Sequence, residues 1–284
     1  MKIGSQDHKE RFCRQFVASH ELYQPDKLPW PDLDDAALER LRSVPFWQEV
    51  LHTERRAGAI VNAFATTIED PLIRDAVALQ GLEEARHARL LEVMIERYGI
   101  DVTEPPLGKL PEDTETAFID FGYGECLDSF LGFGVFKIAR QSGFLPESMF
   151  KIFDVLMYEE TRHIVFFVNW MAHREARHGR GAGWLRGMTS LRFYVRAFRR
   201  MAGTVRKGAG ANDGKDFAAT QAGVFLEGFN FRRFLEDCYA ENARRMSSFD
   251  EDLLRPRFLP ALADAALSGL RLWTLGRAPE RRAS

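Results

Sequence analysis

The residues EEARH at positions 83–87 and EETRH at positions 159–163 repeat one pattern, E-E-x-R-H, within two helical stretches that are otherwise largely apolar. Side chains three residues apart share one face of a helix, so the second Glu and the His of each copy can contact the same metal ion. Charged side chains on a core-facing stripe cost free energy unless they are paired or bound to a metal. The repeat therefore predicts a helical protein with a metal site between two of its helices.

Each copy of the pattern is preceded by a helical stretch that contains a further candidate ligand. Glu54 lies on the stretch before the first copy, and Glu125 lies on the stretch before the second. A bundle that holds two metal ions places one Glu on each of two helices and Glu-x-x-His on each of the other two. Four carboxylates and two imidazoles suit iron or manganese. The predicted metal ligands are Glu54, Glu84, His87, Glu125, Glu160 and His163. Buried salt bridges among these residues are the alternative interpretation.

Two further ExxH sequences, Glu49–His52 and Glu175–His178, are not assigned to the metal site. The first shares its helical face with Thr53 and Arg56, which is typical of a solvated surface. The second has no acidic residue at the corresponding distance upstream and adjoins the glycines of residues 179–183, so it is interpreted as a frayed, solvated helix end. The remaining histidines are interpreted as structural; they are His8, His20 and His173.

Helical periodicity and the positions of proline and glycine predict an all-α fold in three segments. A lead-in is expected over residues 1–44, a bundle over 45–178, and a helical extension packed on the bundle over 179–284. The bundle helices are expected over 45–68, 71–98, 113–141 and 146–177. The extension is expected to contain a basic helix that ends near Lys207, a glycine-rich linker over 208–214, a helix over 217–245 and a short, partly helical tail from 256.

The order E…EExRH…E…EExRH over residues 45–178 resembles the ferritin-like superfamily of non-haem di-iron carboxylate proteins. The doubled EExRH resembles the oxidative branch of that superfamily, which includes soluble desaturases, bacterial multicomponent monooxygenases and related oxidases. The resemblance implies a four-helix bundle that holds two iron ions, or one manganese and one iron, and uses O2 to oxidise a small organic substrate. It also implies that Glu83, Arg86, Glu159 and Arg162 orient the histidine ligands; ion pairs on the helix surfaces are the alternative.

Two positions depart from individual members of the superfamily. Leu91 occupies the position of the radical tyrosine of ribonucleotide reductases, and Leu156 occupies the position of an additional histidine in N-oxygenating relatives. The first difference argues against a ribonucleotide-reductase activity, and the second argues against N-oxygenation. An oxidase or oxygenase is therefore expected, and the alternative is a ferroxidase or iron-handling protein.

The stretch around Glu125 combines phenylalanines with Gly122, Gly124, Gly132 and Gly134. A glycine in a helix interior costs about 1 kcal/mol relative to alanine, so cavity volume or close backbone approach is indicated. The first interpretation predicts an apolar channel for O2 and a hydrophobic substrate, and the second predicts close packing between helices. The predicted channel residues are Val61, Leu91, Phe121, Gly122, Gly132, Phe136, Leu156 and Phe167.

Composition excludes several other classes of protein. The 284 residues are 45% hydrophobic and 28% charged, as in globular proteins. No run approaches the about 18 apolar residues of a membrane span, and the polar residues 1–14 do not resemble a secretory signal, so a cytoplasmic location is expected. The three cysteines, with no CxxC pair, argue against a disulfide scaffold or a cysteine-ligated zinc site.

The formal net charge of −2 conceals a basic segment, residues 171–207, with a local net charge of +9. A solvated basic face, with its apolar residues on the bundle, is the expected interpretation. An electron-donor protein, an acidic carrier protein and an anionic membrane surface remain alternative partners. Nucleic acid is not expected because no nucleic-acid-binding motif accompanies the charge. Association into a homodimer is also left open.

Overall fold

The computed structural model describes residues 1–103, 105–209 and 230–275, and the regular structure within these ranges is helical throughout. The predicted all-α class is therefore confirmed. The α-helices are α1 Gln6–Ala18, α2 Asp35–Ser43, α3 Trp47–Ala65, α4 Pro71–Tyr98, α5 Thr114–Gln141, α6 Glu147–Arg177, α7 Gly183–Ala209, α8 Phe231–Met246 and α9 Phe258–Leu275. None of these described helices is both long enough and apolar enough to cross a membrane.

Local sequence sets the ends of the long helices. The Asp70 side chain accepts hydrogen bonds from the first backbone amides of α4, and Pro71 occupies the first helical position. Gly99 ends the same helix in the left-handed conformation, with φ 58°. Asp113 caps α5 by accepting from the amide of Thr116. These are the boundaries that the sequence predicts for α4 and α5, whereas α3 is shorter at both ends than the expected 45–68.

Four long helices enclose the region that contains the repeated pattern. α3 packs against α4 and α5, and α6 packs against the same two helices. The connections within the α3–α4 and α5–α6 pairs are short, which makes each pair antiparallel. α1 packs on α4 and α6, so residues from the predicted lead-in reach the centre of the fold. α7 and α8 both pack on α5.

The apolar core consists of two clusters, and the charged residues of the repeated pattern on α4 and α6, together with Glu54 on α3, lie between them. On α4, for example, Val77 belongs to one cluster and Leu91 to the other. α3 approaches α4 closely at this level, since a Cβ atom added to Gly58 would lie 3.3 Å from the backbone nitrogen of Ala85. The fold therefore places a charged layer inside an apolar core.

The helices predicted for the C-terminal extension agree in part with the described residues. α7 extends two residues beyond the predicted end at Lys207, so residues 208–209 of the expected linker are helical. Most of that linker and the first part of the expected 217–245 helix lie outside the described residues. Asn230 has an extended backbone and caps α8, so the expected 217–245 helix is wrong at residue 230, and its described part from Phe231 onwards is α8. The tail after residue 256 contains α9.

Candidate metal centre

Side chains from α3, α4, α5 and α6 meet in the charged layer. The predicted ligand atoms form two groups, within each of which the atoms lie no more than 4.8 Å apart, and a third such group consists of His20, Glu83 and Glu159. The first group contains Glu54, Glu84, His87 and Glu160, and the second contains Glu84, Glu125 and His163. The structure thus brings all six predicted ligands together in two neighbouring positions that share Glu84.

One ring nitrogen of His87 faces the carboxylates of the first group. The other ring nitrogen contacts a carboxylate outside that group, which supports the ring. Its Nδ1 lies 3.4 Å from Glu54 Oε2 and 3.2 Å from Glu160 Oε1, and it has no hydrogen-bond partner of good geometry within the described residues. Its Nε2 lies 2.9 Å from Glu159 Oε2. Glu159 is in turn ion-paired with Arg86. A ring held in this way directs Nδ1 at the carboxylates, where a bound cation would replace its proton.

His163 repeats this arrangement with residues from the opposite helix. Its Nδ1 lies 3.1 Å from Glu84 Oε1 and 3.2 Å from Glu125 Oε1, and this atom also lacks a hydrogen-bond partner among the described residues. Its Nε2 lies 2.9 Å from Glu83 Oε2, and Arg162 Nη1 donates to the other Glu83 oxygen at 2.6 Å. Each histidine is therefore held by a carboxylate from the helix that carries the other histidine.

The four residues predicted to orient the histidines are not on the protein surface. Glu83 and Glu159 expose 0% and 1% of their side chains, Arg162 exposes 0% and Arg86 exposes 11%. Arg86 and Arg162 form their close ion pairs with carboxylates of another helix. The alternative interpretation had expected ion pairs within one helix. That alternative, ion pairing on the helix surfaces, is therefore wrong, because the adjoining helices and α1 cover these groups.

Burial and the contacts between histidines and carboxylates together set the proton affinities of the cluster. It raises the pKa of Glu54 to about 7 and that of Glu125 well above its usual value, although the neighbouring histidines oppose the shift. For His87 and His163, burial alone would lower the pKa, but the surrounding carboxylates raise it well above its usual value. In the metal-free protein the cluster therefore retains protons that a bound cation would displace.

Two residues that sequence reasoning missed come from the segment after α1. Tyr23 donates a hydrogen bond to Glu159 Oε2 at 3.0 Å, and the guanidinium carbon of Arg86 lies 4.1 Å from the Tyr23 ring centroid. His20 Nδ1 lies 2.5 Å from Glu83 Oε1, so its interpretation as a merely structural histidine is incomplete. No local spacing signals these contacts, because they depend on how α1 packs against α4 and α6.

Neutral side chains also contact the carboxylates. Gln80 Nε2 donates to Glu84 Oε1 at 3.3 Å and to Glu125 Oε2 at 3.4 Å. Ser129 Oγ lies 3.3 Å from Glu160 Oε2 and donates to it. The same Gln80 bridges two helices, so it fixes the separation of two candidate ligands. Gln80 lies one helical turn before Glu84 in the sequence, but its contact with Glu125 depends on how α4 packs against α5.

A cavity of about 680 Å³ adjoins the cluster on the side away from the supporting carboxylates. Glu54, Glu84, Glu125 and Glu160 all line it, whereas the two histidines do not. Most of the remaining wall is apolar. The predicted channel residues found in this wall are Leu91, Phe121, Gly132, Phe136 and Leu156. The candidate ligands therefore meet an apolar space through their carboxylate side.

Three predicted channel residues do not line this cavity. Val61 and Phe167 are buried in the apolar core, and a Cβ atom on Gly122 would lie 2.3 Å from the Phe167 ring. Gly122 therefore allows close helix packing, and the channel prediction is wrong for these three residues. In contrast, nothing lies within 4 Å of a Cβ atom placed on Gly124 or Gly132, and both residues line the cavity.

Two interpretations of the other ExxH sequences also need correction. Glu49, His52, Thr53 and Arg56 lie along the cavity wall, and all except Thr53 are half-buried, so their face of α3 is not simply solvated. Glu175 is 2% exposed rather than solvated, because Arg174 and Arg180 fold against its carboxylate. Neither Glu49 nor Glu175 belongs to a group of candidate metal ligands within the described residues.

Asp128 is a further cavity residue that sequence reasoning missed. It lies one helical turn after Glu125, its exposed surface faces the cavity, and it has no ion-pair partner among the described residues. Burial, reinforced by the charge of Glu160, raises its pKa to about 7. This carboxyl group can therefore exchange a proton with the cavity near neutral pH.

Comparisons of the chain with protein-family models, with curated proteins and with solved structures found no match.

Proposed function

We propose that this protein is a ferritin-like four-helix-bundle oxidase or oxygenase that binds two metal ions and uses O2 to oxidise an apolar organic substrate. The observation that supports this proposal most directly is the pair of buried, unpartnered Nδ1 atoms of His87 and His163 aimed at four carboxylates. Each Nδ1 lies 3.1–3.4 Å from two carboxylate oxygens without hydrogen-bond geometry to either, and a cation placed between them would be bound by the nitrogen and by both carboxylates.

The donor set fits two hard or borderline divalent ions. Glu54, Glu160 and His87 would hold one ion, Glu125 and His163 would hold the other, and Glu84 is near enough to both groups to bridge them. Carboxylate oxygens with one imidazole per ion suit iron, and they suit manganese similarly. A pair of iron ions, or one manganese with one iron, is therefore the proposed cofactor.

Bound iron would supply the electrons and open coordination positions that O2 chemistry requires. The chain supplies the surroundings. Glu159 and Glu83 hold the His rings in position, and Gln80 holds Glu84 and Glu125 at a fixed separation. The apolar cavity wall excludes water from the carboxylate side, and Asp128 can hold or release a proton at its Oδ atoms near neutral pH.

The cavity favours an organic substrate over the alternative of iron handling. Its volume of about 680 Å³ lies within the range of small-molecule sites, and such sites are walled mainly by apolar side chains with a few polar groups. Leu91, Phe136 and Leu156 form such a wall beside the candidate ligands. A hydrophobic molecule in this space would lie directly against the metal-binding carboxylates.

Metal analysis of the full chain tests the metal centre itself. After anaerobic loading with Fe(II) and removal of excess metal, we expect two ions per chain, because two groups of ligands are present. His87→Gln and His163→Gln should each reduce this number, whereas His52→Gln, which alters another ExxH sequence, should retain two ions. Fewer than two ions in the unaltered chain, or an equal loss in His52→Gln, would contradict the proposal.

The reaction with O2 distinguishes the two functions. The loaded protein, with further Fe(II) supplied as the source of two electrons per O2, is mixed with O2 in the presence and absence of a series of apolar organic compounds, and O2 consumption and products are followed. We expect a substrate-dependent increase in O2 consumption with an oxidised organic product. Oxidation of many Fe(II) ions per chain into a mineral, with no organic product, would instead establish the ferroxidase alternative.

A further inference from the structure

Helix α7 exposes a row of large apolar side chains. Trp184 is 68% exposed, Met188 62%, Leu191 49% and Val195 39%. Their spacing of four, three and four residues places them on one face of the helix. Contiguous exposed apolar patches are uncommon on globular proteins and usually mark an interaction site. The expectation that the apolar residues of this segment lie on the bundle is therefore wrong for these four.

Basic side chains flank the same face. Arg192 follows Met188 by four residues and Arg199 follows Val195 by four, so each lies beside the apolar row. Both are exposed, and neither has an ion-pair partner within the described residues. The whole of α7, Gly183–Ala209, contains no Asp or Glu. The exposed face therefore combines apolar groups with uncompensated positive charge.

The opposite face fixes the orientation of α7. The Tyr194 and Tyr123 rings pack edge to face with centroids 5.0 Å apart, and Ala197 is buried. Arg196 Nη2 donates to Asp120 Oδ2 of α5 at 2.5 Å. These contacts are made by aromatic and basic residues on one side of α7. The row that begins at Trp184 is thus held outward and cannot turn inward without breaking them.

We propose that the face formed by Trp184, Met188, Leu191, Val195, Arg192 and Arg199 binds the surface of an anionic lipid bilayer, with α7 lying in the plane of the interface. Tryptophan and aliphatic side chains enter the boundary between headgroups and acyl chains, while the arginines contact lipid phosphates and carboxylates. The described α7 has the pattern of an interfacial helix, with tryptophan and aliphatic residues on one face, arginines beside them and no acidic residue. A lipid surface matches both parts of the face.

The same helix also contributes to the cavity beside the candidate metal centre. Ala197, Arg200 and Met201 line that cavity from the inner side of α7. A bilayer bound to the outer side would therefore lie one helix thickness from a space suited to apolar molecules. Lipid binding does not require metal or turnover, so the surface proposal can fail while the proposed oxidase function stands, and the reverse also holds.

Vesicle co-sedimentation of the full chain tests the proposal. We expect binding to vesicles of equal parts phosphatidylcholine and phosphatidylserine, much weaker binding to phosphatidylcholine alone, and a decrease as salt is raised. Arg192→Gln combined with Arg199→Gln should weaken partitioning by about 30-fold, from about 1 kcal/mol per arginine near an anionic surface. Trp184→Ser combined with Met188→Ser should weaken it by at least about tenfold.

Matched controls separate this face from general charge and hydrophobicity. Arg14→Gln combined with Arg232→Gln removes the same charge from exposed arginines elsewhere, and Leu22→Ser removes an apolar side chain that is 89% exposed. Both controls should bind vesicles like the unaltered chain. A brominated lipid should quench tryptophan fluorescence on binding, and Trp184→Phe should retain binding while it loses much of that quenching.

Three results would overturn the proposal. The first is the absence of binding to the anionic vesicles. The second is binding that the Trp184→Ser and Met188→Ser combination leaves unchanged, since this would indicate a surface for acidic macromolecules. The third is a dimer in sedimentation analysis that Trp184→Ser dissociates while no vesicle binds, since this would assign the face to a second copy of the chain.

Discussion

Glu83 and Glu159 differ from the neighbouring candidate ligands only by one position in sequence, yet they face the opposite side of the histidines. A carboxylate behind a metal-binding histidine fixes the ring and raises the basicity of its free nitrogen. Such a residue contributes to metal affinity without touching the metal. The Nε2 atoms of His87 and His163 each lie 2.9 Å from one of these carboxylates.

Glu159→Gln should weaken metal binding by about 10- to 100-fold, because the amide supports the His87 ring less strongly than a carboxylate does. Tyr23→Phe, which removes one hydrogen bond to the same Glu159, should have a smaller effect, near 1 kcal/mol. Competition with a chromophoric chelator measures both. Glu96→Gln, at an exposed position on α4, serves as the control. An equal loss of affinity in this control would refute the supporting role.

A second buried histidine pair, away from the candidate metal centre, contributes to the pH dependence of stability. His173 lies beside His8, with ring centroids 6.1 Å apart, and its Nδ1 has no hydrogen-bond partner within the described residues. Burial lowers the pKa of His173 from 6.5 to about 4, and the charge of His8 adds to this effect. The folded protein therefore binds fewer protons at this residue than the unfolded chain does between these two values.

The contribution of His173 to the free energy of unfolding should consequently decrease as the pH falls from about 6.5 towards 4, since protons on this residue favour the unfolded state in this window. His173→Phe removes this proton uptake while it keeps an aromatic ring in the core, so its stability should fall less over the same window. Urea denaturation at several pH values measures the difference. Parallel pH profiles for the two proteins would contradict the assignment.

Individual site residues could be predicted from sequence only where they share a helix face. Glu84 with His87, and Glu160 with His163, follow from a three-residue spacing that any α-helix turns into proximity. His20 and Tyr23 could not be found in this way, because their contacts join the start of the chain to α4 and α6. The burial of Glu175 was missed because Arg180 folds back on it after the helix ends.

Helix α5 shows that one residue type can have two roles within one element. Gly122 permits the Phe167 ring to pack against the α5 backbone, whereas Gly124 borders the cavity, and nothing lies within 4 Å of the point that a Cβ atom would occupy there. The sequence predicted that the glycines allow either close packing between helices or cavity volume. It could not show which of the two roles a given glycine has. Helix boundaries were predicted more accurately, because caps such as Asp70 and Gly99 act through their own backbone neighbours.

Alanine substitution on α5 should therefore give opposite results two residues apart. Gly122→Ala should decrease the free energy of unfolding by about 1–3 kcal/mol, since its Cβ atom would overlap the Phe167 ring. Gly124→Ala should leave stability unchanged or raise it by up to about 1 kcal/mol, because alanine favours the helix. Chemical denaturation of both variants measures these changes. A destabilisation of equal size at both positions would refute the packing role of Gly122.

The molecule as a whole places one polar layer between two apolar clusters and leaves a cavity beside it. This arrangement was predictable in outline from the apolar stripes that carry the repeated pattern. The cavity wall was only partly predictable, because it also includes residues of α7 and α8 such as Met201 and Phe234. Their position depends on packing between helices that are distant in sequence.

Filling the cavity should separate substrate binding from metal binding. Gly132→Phe would extend a ring into the cavity from a Cβ position that has no atom within 4 Å, so we expect about tenfold weaker binding of an uncharged apolar fluorescent probe. Metal content should remain unchanged, since Gly132 contacts no candidate ligand. Leu22→Phe, which adds a ring at a highly exposed position, should affect neither property. Unaltered probe binding in Gly132→Phe would show that the probe binds elsewhere.

Each of the two histidines is held by a carboxylate from the helix that carries the other histidine, and this arrangement also affects how the candidate site assembles. Ordering His87 fixes Glu159 and with it the adjacent Glu160, while ordering His163 fixes Glu83 and the adjacent Glu84. Occupancy of either position therefore removes conformational freedom from the other, which lowers the entropic cost of the second binding event. We expect positive cooperativity: in a titration with substoichiometric metal, chains should hold two ions or none, and singly loaded chains should be scarce.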